Sequence, residues 1–544
     1  MSNSNLIVET SNCKDTKDIS DKSNTPTYDH VTLENILSHG NLTLARISVE
    51  INKGAPGIDK MTTDTLRRYL EIYGDELEKQ IRIGKYKPLA IKRVYIPKEN
   101  GQKRPLGIPT VIDRYVQQAV AQVLSEAFEP HFSESSYGYR PGRSARQAVK
   151  QLTQYVNGGY TYVIDLDLSK FFDTVNHSKL LQILSSKIKD GRVISLIHKF
   201  LKAPVQENGQ IGPNTTIGTP QGGCISPILA NILLNELDQL LDRRGIKFLR
   251  YADDMCIFAK SERAARRILD NVTRFIEKKL FLKVNKDKTK ICAVGPEVQF
   301  LGFSLKRVNK NFKKGIVPER CKWYPSVSQK KLDKFTQNVK KLLNRRAPGG
   351  VLNTKNRYNR FIRGWHNYYR GALGQKWLQE ICKLIRRRIR QLHWKQWKTA
   401  QNRFKNARER WSKAPEIGDT SVRAIPYSSS RYWRMSRSYA LNRILGNKQI
   451  EAEGWLSLET MDKMHWDKLA SEKCNGTAVD ARTARPVVWE PLKRGYSISL
   501  KKLNDLNYIS SFNTTRSSSI TLIKELFIST GANVAAFGDT LITL

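Results

Sequence analysis

The sequence has too few acidic residues to balance its basic ones. Of 544 residues, 50 are Asp or Glu and 93 are Lys or Arg, so the formal net charge is +43 at pH 7. A charge of this sign attracts polyanions and predicts nucleic acid as the partner. An anionic membrane surface would match the same charge. However, the chain lacks an apolar run of about 20 residues and an apolar amino-terminal segment, which argues against a membrane partner or secretion.

Paired cysteines are also missing. The seven cysteines are scattered along the chain, and no two of them form a CxxC pair. The spacing therefore argues against a zinc site and against a disulfide framework. A reducing compartment suits such a chain, so we expect a cytoplasmic protein.

Composition divides the chain into four parts. Residues 1–30 are polar and rich in Ser, Asn, Asp and Thr, so we expect them to be disordered. Residues 31–310 mix helix and strand patterns, and residues 320–440 are helical and strongly basic. Residues 441–544 form a C-terminal region that could bind DNA. The chain therefore predicts an α+β fold followed by a basic helical domain.

Local patterns in the mixed part predict individual elements. Two β-prone runs around a Gly-containing turn predict a basic hairpin, and apolar residues at helical spacing predict helices. The predicted elements are the hairpin strands 93–97 and 104–108, the strand 160–168, and the helices 113–127, 227–241 and 264–280.

Two adjacent acids, Asp253 and Asp254, interrupt β-prone apolar residues. Lys247–Leu249 precede them and Met255–Phe258 follow, which predicts a strand, a tight turn and a second strand with the acids at the tip. Acids are depleted in strands, so the pair needs a reason. Hard cations such as Mg²⁺ prefer carboxylate oxygens, and phosphoryl transfer uses more than one carboxylate.

A third carboxylate lies in the segment 162–173. An apolar strand ends in Asp165-Leu166-Asp167, and the two-residue period of a strand puts Asp165 and Asp167 on one face. Periodicity alone allows either acid to be a metal ligand. An ordinary surface or hydrogen-bonded acid is the alternative for Asp165.

A glycine-rich stretch, 218–223, precedes the helix predicted from residue 227. Glycines let the backbone approach a ligand, and a helix amino terminus presents free N–H groups. Gln221 could hydrogen-bond a nucleotide or a base edge. The alternative is an ordinary glycine-rich turn.

The order of these motifs resembles the reverse transcriptases encoded by group II introns, the reverse transcriptase–maturase family. This family has a right-hand polymerase fold with fingers and palm, followed by an α-helical thumb that is also called the maturase or X domain. The matching blocks are KGAPGID (53–59), YIPKENGQKRPLGIPTVIDRYVQQA (95–119), SSYGYRPGRSARQAV (135–149), DLDLSKFFDTVNH (165–177), GTPQGGCISPILANILLNELD (218–238), RYADD (250–254), LKVNKDKTKI (282–291), VQFLGFSL (298–305) and GWHNYYR (364–370).

The resemblance implies a metal-ion mechanism. It selects Asp167 over Asp165 as the first metal ligand and makes Asp253 and Asp254 the other members of the catalytic set. Two Mg²⁺ ions would bind there, and Mn²⁺ could substitute.

The resemblance also implies how a deoxynucleotide triphosphate is bound. Lys103 and Arg104 would hold the triphosphate, and Gln221 would contact the nucleotide or the nascent base pair. Phe172 would crowd the 2′ position and reject ribonucleotides, with a plain core aromatic as the alternative. Lys288 would lie near the leaving group, with a solvated surface lysine as the alternative.

The helical domain resembles a module that binds intron RNA. Arg360, Arg363 and Arg370 are the predicted RNA-binding residues, while Trp365 and one neighbouring tyrosine are expected in the core. The implied function is RNA-directed DNA polymerisation, with RNA binding that promotes intron splicing and primes retrohoming into DNA. The implied partners are group II intron RNA, a DNA target and primer, deoxynucleotide triphosphates and, in a homodimer, a second copy.

Other functions remain open. Many members of the family end in a His-Asn-His endonuclease domain with paired cysteines, whereas this chain has only His465 and Cys474 near its end. We therefore expect the endonuclease-lacking type. A cellular reverse transcriptase for defence or diversity generation is one alternative, and an RNA-binding maturase that acts only in splicing is another. A viral-type RNA polymerase would share the paired acids, but Phe172 weighs against it.

Overall fold

A computed structural model describes residues 28–97, 101, 103–219, 222–308, 323–345, 349–425 and 435–474. Gln221, residues 1–27 and residues 475–544 lie outside the described residues. The predictions made for them therefore stay predictions.

The amino-terminal half of the described chain alternates helices with short strands. Its helices are α1 (Leu33–Ile36), α2 (His39–Asn52), α3 (Leu66–Arg82), α4 (Val111–Phe128), α5 (Ala145–Asn157), α6 (Phe171–Thr174), α7 (His177–Ser185), α8 (Gly191–Lys202), α9 (Ser226–Arg243) and α10 (Glu262–Lys279). Its strands are β1 (Ile91–Pro97), β2 (Lys103–Ile108), β3 (Tyr162–Leu166), β4 (Val205–Glu207), β5 (Gln210–Ile211), β6 (Phe248–Tyr251), β7 (Asp254–Ala259), β8 (Lys290–Ala293), β9 (Gln299–Phe300), β10 (Phe303–Arg307) and β11 (Trp323–Val327). Short 3₁₀ turns occupy Thr63–Thr65, Glu129–His131 and Pro415–Ile417.

The carboxyl-terminal half of the described chain is helical. Its helices are α11 (Gln329–Leu342), α12 (Gly350–Tyr369), α13 (Gln375–Gln396), α14 (Ala400–Lys413), α15 (Asp419–Ala424), α16 (Tyr439–Ile444), α17 (Asn447–Ala452) and α18 (Leu458–Cys474). One hydrophobic cluster runs from Phe335 to Leu458. The boundary predicted at residue 440 therefore divides a continuous core, because Leu441, Ile444 and Leu445 are buried in that cluster.

Three sheets are present among the described residues. The central sheet has the order β6-β7-β3-β8, a second has β2-β1-β4-β5, and a third has β11-β10-β9. In the central sheet β3 runs antiparallel to both β7 and β8. This arrangement places the carboxyl end of β3 beside the amino end of β7, which is where the predicted acids lie.

The hairpin and helices predicted from local patterns are present with small shifts at their ends. Strand β1 pairs antiparallel with β2 in a register that sets Pro97 opposite Lys103. The amino-terminal boundary differs from the prediction, since Tyr28 is buried and its ring lies 4.6 Å from that of Phe128. Residues 28–30 therefore belong to the packed structure and not to the predicted disordered segment.

Candidate active site

The acid turn, residues 251–254, joins β6 to β7. Tyr251 pairs with Asp254, so Ala252 and Asp253 form a two-residue turn. Ala252 adopts a left-handed conformation with φ of 58°, which few residues other than glycine adopt readily. A β-carbon on Gly138 would lie 2.3 Å from the amide nitrogen of Ala252, so a glycine is needed there. Asp253 is thus displayed at the tip of a tightly enclosed turn.

Asp167 follows β3 directly and is held by the loop before β8. The side-chain amide of Asn285 donates to Asp167 Oδ2 at 2.9 Å, and the Asn285 backbone amide donates to the Asp167 carbonyl at 2.9 Å. Lys288 Nζ lies 3.3 Å from the same Oδ2. One carboxylate oxygen of Asp167 therefore has two partners.

The acids of the two neighbouring strands influence one another. The protein packed around Asp254, with the negative charges of Asp253 and Asp167, raises the pKa of Asp254 to about 7 although part of its surface faces solvent. Burial raises the pKa of Asp253, and the charge of Asp167 adds to the rise. Arg104 and Lys288 act in the opposite direction on Asp253. Three acids and two bases thus share one electrostatic environment.

Asp165 lies one pleat back along β3. It is opposite Cys256 on β7 and Lys290 on β8. Burial raises the pKa of its carboxyl, and Lys290 opposes that rise. Asp165 therefore has a neighbouring base of its own and lies farther from the turn than Asp167.

The donor set suits a hard divalent cation. Carboxylate oxygens are the ligands that Mg²⁺ and Mn²⁺ prefer, and a cation would relieve the charge repulsion that adds to the effect of burial on the pKa of Asp254. In the side-chain conformations of the described residues, no three His, Cys, Asp or Glu side chains are arranged to hold a metal ion. Asp167 is instead engaged by Asn285 and Lys288.

The predicted nucleotide-binding residues lie on separate elements. Lys103 and Arg104 are both exposed on β2, and the positive charge of Arg104 acts to lower the pKa of Asp253. Phe172 is half-buried, with its ring centroid 5.1 Å from that of Phe171. Both the core and the nucleotide-facing interpretations of Phe172 therefore stand.

The glycine-rich stretch touches two of these elements. The Thr219 amide donates to the Phe172 carbonyl at 2.6 Å. A β-carbon on Gly222 would lie 2.4 Å from the Gly107 carbonyl oxygen on β2. Gln221 lies outside the described residues, but its described neighbours lie between the Phe172 segment and the basic hairpin.

The sequence patterns did not indicate several residues of the candidate site. Asn285 contacts Asp167, although the block 282–291 that contains it indicated only Lys288 as a site residue. Tyr139 lies near the acid turn, where burial and the charge of Asp253 raise its pKa. Arg250 is completely buried beneath the turn. The sequence signal for Arg250 was a basic residue close to the paired acids. Its hydrogen-bond partners lie elsewhere in the sequence and were not predictable from that signal.

The predicted RNA-binding arginines differ in exposure. Arg360 and Arg363 are exposed on α12, whereas Arg370 is half-buried and burial lowers its pKa. Trp365 packs on Phe335 with ring centroids 4.2 Å apart. The aromatic residues of this helix thus serve packing, and Arg360 and Arg363 face outward.

The same helix contacts the strand-containing half of the chain. The Tyr368 hydroxyl donates to the Leu301 carbonyl at 3.0 Å, and Tyr369 is buried. A β-carbon on Gly302 would lie 2.6 Å from the Tyr369 hydroxyl oxygen. The helical domain therefore packs directly on the loop between β9 and β10.

Two family models match the chain. Residues 96–305 match a model described as reverse transcriptase (RNA-dependent DNA polymerase), and residues 332–411 match one described as group II intron, maturase-specific domain. These matches define a polymerase domain followed by a maturase domain.

Similar proteins agree with this division. YkfC of Escherichia coli K12 is 36% identical over 303 residues, which cover 48% of this chain and 79% of YkfC. The group II intron-encoded protein LtrA of Lactococcus lactis subsp. cremoris is 31% identical over 320 residues, which cover 47% of this chain and 53% of LtrA. A chain in the solved structure of a partial Cas6-RT-Cas1–Cas2 complex is 26% identical. The match covers 45% of this chain and 42% of the chain in that complex, with a TM-score of 0.30.

The chain belongs to the group II intron-encoded reverse transcriptase–maturase family. It is an RNA-directed DNA polymerase with an α+β fold, and RNA and other nucleic acid are its substrates. Reverse transcriptase domains use divalent metal ions. The predicted family, fold class and enzyme class are therefore confirmed. None of the helices in the described ranges has the length and apolar character to cross a membrane.

Proposed function

We propose that Asp167, Asp253 and Asp254 hold two Mg²⁺ ions at the acid turn and that this site synthesises DNA on an RNA template. The observation that carries the proposal is that the end of β3 and the start of β7 bring these acids together, where burial and the neighbouring negative charges raise the pKa of Asp254 to about 7. Bound there, the ions would help deprotonate a primer 3′-hydroxyl and neutralise the departing pyrophosphate. Mn²⁺ would substitute because its ligand preferences overlap with those of Mg²⁺.

The bases around the acids would orient the incoming deoxynucleotide triphosphate. Arg104, with Lys103 beside it, would hold the phosphates, since guanidinium groups bind phosphate in a bidentate manner. Phe172 would crowd a 2′-hydroxyl, and Gln221 would contact the nucleotide. Lys288 would move from Asp167 toward the leaving pyrophosphate. The primer hydroxyl oxygen then bonds to the α-phosphorus as pyrophosphate departs.

The helical domain would bind the group II intron RNA. Arg360 and Arg363 are exposed on α12 and suit contacts with phosphate, and Arg370 would add a contact at the carboxyl end of that helix. This binding would promote splicing and would bring the RNA to a DNA target and primer for retrohoming. Such a protein would lie in the cytoplasm at the nucleoid.

Primer extension on an RNA template tests the polymerase site. Asp167→Asn should reduce single-nucleotide incorporation by about 10³-fold or more, because it removes a charge that neutralises the metal ions. The matched control is Asp270→Asn, which changes an exposed acid on α10 and should extend like the parent. A folded Asp167→Asn protein with the parent's rate would overturn the proposal.

A further inference from the structure

The side chain of Arg250 is fully buried next to the acid turn. Its exposed fraction is 0%, and a guanidinium is costly to bury unless its donors are satisfied. Nε lies 2.9 Å from both carboxylate oxygens of Asp238, and Nη1 lies 2.8 Å from Asn231 Oδ1. Both partners come from α9, seven residues apart on one helix face.

Arg250 Nη2 donates to Asp238 Oδ2 at 2.5 Å, and a further contact reaches the turn itself. Arg250 Nη1 donates to the carbonyl oxygen of Ala252 at 3.1 Å. That carbonyl belongs to the peptide group whose nitrogen is the amide of Asp253, so holding it sets the direction in which Asp253 leaves the turn. Ala252 has φ of 58°, a conformation that a residue with a β-carbon keeps only when its surroundings enforce it.

Asn231 closes the arrangement from the other side. Its side-chain amide donates to the Gly138 carbonyl at 2.9 Å. Gly138 in turn packs so closely on the Ala252 amide that a β-carbon would not fit. The segment before Gly138 is also fixed to β6, since the Arg250 amide donates to the Ser135 carbonyl at 2.9 Å. The turn is therefore held between Arg250 and Gly138.

We propose that Arg250 is a positioning residue for DNA synthesis: its guanidinium, anchored by Asp238 and Asn231, holds the Ala252 carbonyl and so fixes Asp253 in the orientation needed for metal binding. The inference rests on the proposed role of Asp253. An arginine is required because one planar group with five donors serves a carboxylate, an amide oxygen and a carbonyl at once. A lysine ammonium could not span these three acceptors.

The experiment must separate positioning from the general stability of a buried ion pair. In the double variant Arg250→Met, Asp238→Leu, both charges are replaced by apolar groups, and such replacements are often tolerated by the fold. Arg250→Lys keeps the positive charge beside Asp238 but loses the arm that reaches Ala252. Arg46→Met, Glu50→Leu removes a partly exposed ion pair of 2.9 Å on α2 and controls for the loss of an ion pair away from the acid turn.

Single-nucleotide incorporation is measured for each protein together with its melting temperature and its affinities for deoxynucleotide and primer–template. We expect the double variant to melt close to the parent and Arg250→Lys to melt lower but to stay folded at the assay temperature, because lysine leaves buried acceptors unpaired. Both should bind both ligands within about threefold, while the incorporation rate falls by about 100-fold, as for a misplaced reacting group. Half-maximal rate should also need more Mg²⁺. The control pair should keep the parent's rate.

The parent's rate in either folded Arg250 variant would overturn the inference. If neither variant folds, Asn231→Leu decides, because it changes no charge and removes the link between Arg250 and Gly138; an unchanged rate there would also overturn it. Asp253→Asn is run in parallel. If Asp253→Asn loses activity, the proposed polymerase site is supported whatever the result for the Arg250 variants. If Asp253→Asn keeps the parent's rate, the proposed polymerase site itself is overturned.

Discussion

The acid turn and the basic helical domain both gather charges of one sign, but the two regions treat them differently. At the turn, neighbouring carboxylates share a confined environment in which the pKa of Asp254 rises to about 7. On α12, Arg360 and Arg363 are exposed to solvent about one helical turn apart. Like charges in a confined site favour a counter-ion at one point, whereas exposed charges along a helix suit an extended polyanion. We therefore expect that catalysis and RNA binding can be separated by mutation.

The largest expected effect tests whether Asp167 or Asp165 acts together with the acids of the turn. Asp254→Asn should lower incorporation by about 10³-fold, like Asp167→Asn, because each removes charge from the proposed metal site. Asp165→Asn should cost less than about tenfold, since Asp165 has Lys290 beside it and lies farther from the turn. The measurement is single-turnover extension with circular dichroism as a folding control. A larger loss for Asp165→Asn than for Asp167→Asn would contradict the assignment.

A smaller effect is expected on substrate choice. Phe172→Val should raise ribonucleotide incorporation relative to deoxynucleotide by about 10- to 100-fold, because a shorter side chain leaves room for the 2′-hydroxyl. Phe172→Tyr keeps the ring and is the control. Competition between the two nucleotides on one primer–template measures the ratio. An unchanged ratio in Phe172→Val would make Phe172 a core residue only.

The raised pKa of Asp254 predicts a pH dependence of metal binding. Affinity for Mn²⁺ in the absence of substrate should rise about fivefold from pH 6 to pH 7 and about twofold more by pH 8, and then level off, because the ion binds the deprotonated carboxylate. Asp254→Asn should remove most of this dependence. Isothermal titration at several pH values measures it, and a flat profile for the parent would count against the clustered acids.

The same shift has a consequence for stability. The folded-state pKa of Asp254 lies above its ordinary value, so the folded protein binds the proton more tightly than the unfolded chain does. Metal-free stability should therefore fall as pH rises from about 4 to about 7, and added Mn²⁺ should offset the fall. Thermal melts with and without metal measure both effects. A metal-free melting temperature that rises over this pH range would contradict the prediction.

The smallest effect is expected from the basic helices. Arg360→Ala with Arg363→Ala should weaken intron RNA binding by about tenfold and reduce the slope of log affinity against log salt by about 1 to 2. Primer extension on a short template should change little. The control is Arg263→Ala with Arg267→Ala, which removes two exposed arginines of α10. An equal loss in the control would mean that net charge alone explains RNA binding.

Local patterns predicted much of the fold near the site. The hairpin β1–β2, the helices α4, α9 and α10 and the strand–turn–strand around Asp253 were all readable, because spacing along the chain determines them. Strands β4 and β5 were not predicted. They are three and two residues long, respectively, and the parallel pairing of β4 with β1 joins Ile91 to Val205 across more than one hundred positions.

The support around the acids was less predictable for the same reason. Periodicity left Asp165 and Asp167 equivalent, and only the family resemblance separated them. The contact of Asn285 with Asp167 and that of Arg250 with Asp238 depend on how strands and helices pack, which no local pattern encodes. The sequence therefore predicts the chemical groups of the site better than the contacts that orient them.

The most direct test measures two activities on one preparation of Asp253→Asn. Incorporation of a single deoxynucleotide on an RNA template should fall by about 10³-fold, whereas affinity for the intron RNA should stay within about twofold of the parent, because Asp253 lies at the acid turn and not on the basic helices. A folded Asp253→Asn protein that extends primers at the parent's rate would contradict the central claim.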